Sequence, residues 1–187
     1  MPTDGASPSP RRNHLLEAAY RYALDHGLAD LSLRPLSTAI GTSPRVLLYL
    51  FGSKDGLVRE LLGRARADEL ALLERLPRGT GLPETAARVW EWLVAEERRP
   101  LLTLWVEGDA RSLVGPQGPW ADFAAATVRD WLEVLARSQP DPDTPEALAQ
   151  RTRALALLRG ALLDLLATGD TDRVTRAVQA DLADLAD

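Results

Sequence analysis

The chain is predicted to be all-α, and three observations predict it. Apolar residues recur every three or four positions along most of the 187 residues, as a helix with one buried face requires. No stretch of the second half carries a convincing strand pattern. The breaks between periodic segments carry helix punctuation, with Ser43-Pro44 and Thr144-Pro145 as starts and Gly27, Gly41 and Gly169 as stops. A hydrophobic content of 45% supports a real core, and with no cysteine the fold needs neither disulfide nor thiolate metal site.

Residues 1–10, rich in proline and serine, read as a disordered leader. A helix from about Asn13 to His26 follows, with Leu15, Leu16, Ala19, Tyr22 and Ala23 on one face and Gly27 ending it. Ser32 can cap a short helix from Leu33 to about Ile40, its hydroxyl accepting from the Arg34 N–H. Gly41 closes that helix, and Ser43 with Pro44 opens the next. Leu36, Ala39 and Ile40 on one helix and Val46, Leu47 and Leu50 on the other form two apolar faces that a three-residue turn brings together, which is a helix-turn-helix. The helix at Asn13–His26 would cover its back, and residues 11–62 form one small domain.

Residues 63–187 form a second, larger helical domain. A long amphipathic helix from Gly56 to Leu76 links the two, its apolar set being Leu57, Leu61, Leu62, Ala65, Leu70 and Leu73, until Pro77-Arg78-Gly79-Thr80-Gly81 breaks it. Further helices are expected over Pro83–Arg99, Leu101 to about Leu113, Trp120–Ala136, Pro145 to about Leu166, and Asp172–Leu185.

The stretch from Leu15 to Leu62 resembles the DNA-binding half of the TetR (tetracycline-repressor type) regulators. The resemblance rests on Leu15-Leu16-Glu17-Ala18-Ala19, Gly27, Ser32-Leu33-Arg34, Leu36, Gly41, Ser43, Leu47, Tyr49, Phe51 and Ser53-Lys54-Asp55, spaced as in that family without a gap. Thr42 stands where an apolar residue is usual, Pro35 sits inside the first helix, and Leu48 and Leu50 occupy positions where such proteins often place aromatic or histidine contacts to DNA. The resemblance implies a dimeric DNA-binding protein whose second domain takes an inducer.

In a helix-turn-helix the first turn of the second helix enters the major groove, so Pro44, Arg45 and Val46 are the residues nearest base edges. The Arg45 guanidinium suits guanine O6 and N7, and Val46 suits a thymine methyl. Arg34 is a second reader at a position that TetR-like proteins use. Thr42, Ser43 and Tyr49 carry hydroxyls suited to phosphate, and Ser32 joins them. Lys54, the only lysine, follows the Ser53 cap of the next helix, where helix dipole and ammonium both favour a phosphate. Leu47 and Phe51 are core, whereas Tyr49 divides evenly between core and contact. Arg11 and Arg12 either touch phosphates or wave in solvent; His14 and His26 are surface residues.

Charge agrees in sign. The net charge is −5, yet residues 1–67 hold nine Lys or Arg against six Asp or Glu. A positive head and an acidic remainder orient the head toward a duplex.

Two features of the second domain suggest control. Trp90, Trp105, Trp120, Phe123 and Trp131, with Trp92, suit an apolar cavity for a hydrophobic small molecule, oriented by polar anchors among Glu107, Asp109 and Thr127. Leu155, Leu162, Leu163, Val174, Val178 and Leu182 give the last two helices more apolar surface than one chain end covers, so a four-helix bundle with a second copy is expected.

Against catalysis, there is no Ser/His/Asp order, no paired histidine at metal spacing and no glycine-rich phosphate loop, and no cofactor is expected. No run approaches a membrane span and no signal peptide is readable, so a cytoplasmic location is expected. The reading is a ligand-responsive, homodimeric repressor on a palindromic double-stranded DNA operator. Its alternative is an all-helical ligand-binding protein of the same fold with weak or lost DNA binding.

Overall fold

The computed structural model describes residues 9–28, 30–73 and 81–185, and among them every regular element is helical. The leader expected at the N-terminus lies outside the described residues up to residue 8, and so do residues 74–76 at the end of the expected linking helix and residues 77–80 of the expected break.

Three helices begin by one local device. Ser9, Ser43 and Thr144 each precede a proline, and each hydroxyl accepts from a backbone N–H three residues on, at 3.3, 3.3 and 3.1 Å. Proline fixes φ and lacks only a donor that the first turn leaves unused, so the pair starts a helix sharply. These caps open α1 (Pro10–His26), α3 (Pro44–Phe51) and α8 (Pro145–Thr168). Helix α1 thus starts three residues before the expected Asn13, because Ser9-Pro10 carries the same signal as Ser43-Pro44.

Helix α2 (Leu33–Ala39) starts where expected, but the Ser32 hydroxyl makes no capping bond. Its buried face is Leu36 and Ser37 rather than Leu36 and Ala39; Ala39 is exposed, and the Ser37 hydroxyl, turned inward, donates to the Arg34 carbonyl at 3.0 Å. Leu36 and Leu47 meet in the core between α2 and α3. Gly52, with φ +77°, ends α3, and the Ser53 hydroxyl accepts from the Gly56 N–H at 2.9 Å to open α4 (Lys54–Leu73). The expected domain boundary at residues 62 and 63 falls inside this continuous helix, so α4 is shared by both halves.

In the larger half the expected helix over Pro83–Arg99 is broken: α5 spans Leu82–Leu93, Ala95 is extended, a 3-10 turn covers Glu96–Arg98, and α6 runs Arg99–Val114. Pro100 stands in the first turn of α6, where its missing N–H leaves no bond unmade. The expected start at Trp120 also moves. Trp120 ends a 3-10 turn (Gly118–Trp120), Asp122 takes φ +60°, and α7 runs Phe123–Ala136. Helix α8 ends at Gly169, φ +69°, and α9 is Thr171–Ala183.

Helix α4 is the spine. It packs on α1 and α3 at one end and on α6 and α7 further along, while α8 lies against α5, α7 and α9. The head is pinned to the spine by polar bridges: Tyr20 donates to Asp68 at 2.9 Å, and Arg64 pairs with Glu17 at 2.7 Å and with Asp68.

Candidate functional site

The first candidate surface is the outer face of α3. Leu47 and Phe51 are buried on its inner face, so the 3.6-residue repeat turns Arg45, Leu48 and Tyr49 outward together. Tyr49 is 86% exposed, which removes it from the core and leaves its hydroxyl in solvent. Ser43 is exposed but its hydroxyl is engaged in the cap, Thr42, Pro44 and Val46 are half-buried, and Ser32 and Arg34 are exposed on α2 and its start. Lys54 is exposed in the first turn of α4, beside the Ser53 cap. Of the residues expected to contact DNA, all but the half-buried Thr42, Pro44 and Val46 are exposed.

Arg12 is elsewhere. It pairs with Glu60 at 2.7 Å, donates to the Leu50 carbonyl at 3.4 Å and stacks 5.0 Å over the Phe51 ring. A guanidinium so engaged ties α1 to α3 and α4 and is not offered to a phosphate, whereas Arg11 is exposed.

The second candidate is a cavity of about 190 Å³ between α4, α5, α6, α7 and α8. Trp105, Trp131, Asp109 and Thr127 line it as the sequence suggested. Trp90, Trp120 and Phe123 do not. Trp90 is buried with its indole N–H donating to Thr175 at 3.1 Å, joining α5 to α9. Phe123 packs on Gly108, where any Cβ would stand 2.7 Å from the ring, and Trp120 lies in the turn packed on α4. Glu107 faces the head instead, accepting from the Leu28 N–H at 2.8 Å. Helical spacing placed the aromatics on helices but not toward a common centre.

Two charged residues of the lining were missed. Glu69 of α4 is 1% exposed, and one carboxyl oxygen accepts from the Trp131 indole N–H while the other, Oε2, has no partner. Burial pushes its pKa up to about 8; the Trp131 bond and Arg66 oppose this, and Asp109 and Asp130 add to it. A signal existed: Val58, Leu62, Ala65 and Glu69 recur at helical spacing, which puts a carboxyl in an apolar stripe. Arg159 of α8 donates to Asp109 Oδ2 at the edge of the cavity. Burial raises the Asp109 pKa against that pairing.

The cavity is polar at a few points only. Of the six buried side-chain N or O atoms without a partner among the described residues, four belong to its lining: Glu69 Oε2, Asp109 Oδ1, Thr127 Oγ1 and Trp105 Nε1. Leucines of α5, α6 and α8 supply most of the remainder.

The residues expected to form a seam between copies are placed mostly inside the chain. Leu155 and Leu162 are buried in the cavity wall, and Val174, Val178 and Leu182 are buried where α9 meets α5 and α8. Helix α5 covers the apolar face that the sequence alone could not assign a cover. Only Leu163, at 53%, is well exposed, on a face of α8 that also presents Ala156, Gly160 and Ala167.

Among the described residues no helix is long and apolar enough to cross a membrane. Residues 15–61 match the family of bacterial regulatory proteins named tetR. The HTH-type transcriptional regulator BetI of Rhizobium meliloti (strain 1021) is 35% identical over 78 residues, which is 40% of this chain and 38% of BetI's length. Over nearly the whole chain the fold is that of a transcriptional regulator from Rhodococcus sp. RHA1 (TM-score 0.78, 20% identity, 93% of this chain and 95% of that one). The multidrug binding protein EbrR, complexed with proflavin, superposes with a TM-score of 0.65 at 22% identity, covering 92% and 99% of the two chains. Residues 15–61 thus carry the pattern of the tetR family of bacterial regulatory proteins, and the chain as a whole shares the fold of these solved regulators while spanning well under half the length of BetI in its match to that relative.

Proposed function

We propose that the chain regulates transcription as a homodimeric repressor, binding a palindromic DNA operator with its head and releasing it when an apolar small molecule fills the cavity. The observation that carries this is that two helices each touch both regions. Helix α4 presents Lys54 at the head and Glu69 in the cavity. Helix α6 presents Trp105 and Asp109 to the cavity and, from another side, Glu107 to the Leu28 N–H after α1. A molecule that fits only one setting of α4 and α6 favours one setting of the head, and operator and ligand then weaken each other by the same factor. EbrR's complex with proflavin supports a small-molecule occupant.

On the head, Arg45 and Val46 are the base readers, with Arg34 as a second, while Ser32, Thr42, Ser43, Tyr49 and Lys54 face phosphates. The pairing surface between copies is the α8 face of Ala156, Gly160, Leu163 and Ala167, whose small side chains allow close approach of a second helix. A two-fold dimer matches a two-fold operator. The functions of the relatives support a regulator rather than an enzyme.

A gel-shift titration on the DNA upstream of the protein's own gene tests this. Retardation is expected, and a compound that quenches tryptophan fluorescence should release the DNA over the same concentration range. A protein that binds such a compound yet retards no genomic fragment would instead be a ligand-binding member of the fold without DNA binding. The 41% exposed Leu48 beside Arg45 is the feature that favours that second reading.

A further inference from the structure

We propose that the molecule the cavity takes is an organic cation, an ammonium or amidinium on an apolar body, whose N–H groups are accepted by Glu69 Oε2 and Asp109 Oδ1; this rests on the reading above that the cavity is an effector site. Three observations carry it. Two of the four unpartnered atoms on the lining are carboxyl oxygens, and an unpaired buried acceptor is costly until a donor reaches it. One cationic side chain, Arg159, lines the cavity, and it is already spent on the other oxygen of Asp109, so the two acids outnumber it. The indole of Trp105, stacked on Trp92 with centroids 5.8 Å apart, and that of Trp131 supply aromatic surface that favours a cation over a neutral molecule of the same shape.

An anion would meet two carboxyl groups in a site of low polarity, and a plain hydrocarbon would leave both unpaired. The cation is the class that removes the cost.

The state of Glu69 adds a signature. The charged and titratable groups around it are Asp109 from α6, Asp130 from α7 and Arg66 on its own helix, with Arg159 of α8 held by Asp109 and Arg66 held by Asp130 at 2.5 and 2.8 Å. Burial keeps Glu69 largely protonated at neutral pH. A cation that pairs with it displaces that proton to solvent, so binding is coupled to proton release and strengthens as pH rises toward 8. A neutral ligand releases none.

The test uses the full chain and two probes of one shape, 1-naphthylmethylamine, charged at neutral pH, and the uncharged 1-naphthalenemethanol. Calorimetry at pH 7 in two buffers of different ionisation enthalpy counts protons. The amine is expected to bind about tenfold or more tighter than the alcohol, as a charge-assisted bond into a dry site implies, and to release close to one proton. In E69Q, which keeps an acceptor for Trp131, proton release should vanish and the preference for the amine fall to about threefold or less, with alcohol binding retained. Retained alcohol binding and an unchanged melting profile show that the variant is folded. An alcohol that binds as well as the amine, an amine that binds without releasing a proton or fails to bind up to about 1 mM, or a preference that survives E69Q overturns the inference. The regulatory reading is read separately: release of operator DNA by the alcohol alone would leave that reading standing while the cation falls. Amine binding with proton release but an undisturbed DNA complex would do the reverse.

Discussion

The head and the cavity spend their polar groups in opposite ways. In the head, the buried side chains among the described residues are apolar except for the Ser37 and Tyr20 hydroxyls, both hydrogen-bonded, and Arg34, Arg45, Tyr49 and Lys54, proposed to contact DNA, stand outside the core. Around the cavity, polar atoms are buried without partners on the faces of α4, α6 and α7. A surface that reads a rigid, charged duplex can keep its donors solvated until contact, because the partner brings the desolvation. A pocket that must hold a small molecule carries the cost of desolvation in advance, and the surrounding leucines have to offset it. The head therefore keeps its unengaged polar groups outside, while the larger half keeps some of them inside.

Four sets of substitutions sharpen or break that contrast. The largest effect is expected at Val178, which is fully buried: Val178→Asp should destabilise the chain by at least about 3 kcal/mol in urea melts, because a lone charge enters an apolar contact. Gly160→Glu, on the open face of α8, should leave stability within about 0.5 kcal/mol but convert a dimer to a monomer by sedimentation. Equal behaviour of the two would mean that the pairing surface is not on this face of α8.

Next comes the pH dependence of Glu69. Its folded pKa is raised to about 8 from 4.5, so the folded chain holds a proton that the unfolded chain has lost. The stability from this group is full below the unfolded value and is lost as pH climbs toward 8. Wild type should therefore lose stability relative to E69Q between about pH 5 and pH 8, by at most about 1.4 kcal/mol per pH unit. A flat difference between the two denaturation curves would show that Glu69 is ionised in its pocket.

In the head, Gly56→Ala should cost about 1–3 kcal/mol, since a Cβ would stand 2.1 Å from the Phe51 carbonyl oxygen and backbone must move. Loss of DNA binding should accompany it, while ligand-dependent tryptophan quenching persists; simultaneous loss of both would show that the two regions unfold as one.

The smallest effects are on DNA affinity alone. Arg45→Ala should relax preference at one base pair per half-site by about 1–3 kcal/mol. Lys54→Ala should weaken all sequences evenly and lower the salt slope by roughly one per half-site. A uniform loss from Arg45→Ala would make it a phosphate contact, and an unchanged slope would remove Lys54 from the interface.

What the sequence determined by itself is what short-range rules control. Caps such as Ser43-Pro44, the stop at Gly169 and the apolar faces of α1 and α3 depend on residues three or four apart, so helix content and the helix-turn-helix were readable in one dimension. The same rules, applied to Ser9-Pro10, account for the start of α1. Only the tertiary structure decided which apolar face meets which. Leu155 and Leu162 look like a seam for a second copy until α5 and the cavity are seen against them, and Trp90 looks like a cavity wall until its N–H is found on Thr175. Helical spacing fixes a side chain's angle about its own axis but says nothing of the neighbour at that angle. For the same reason the helical spacing that aligns Glu69 with Val58, Leu62 and Ala65 could not say what that stripe would face, and only packing against α6 and α7 made Glu69 a buried acid.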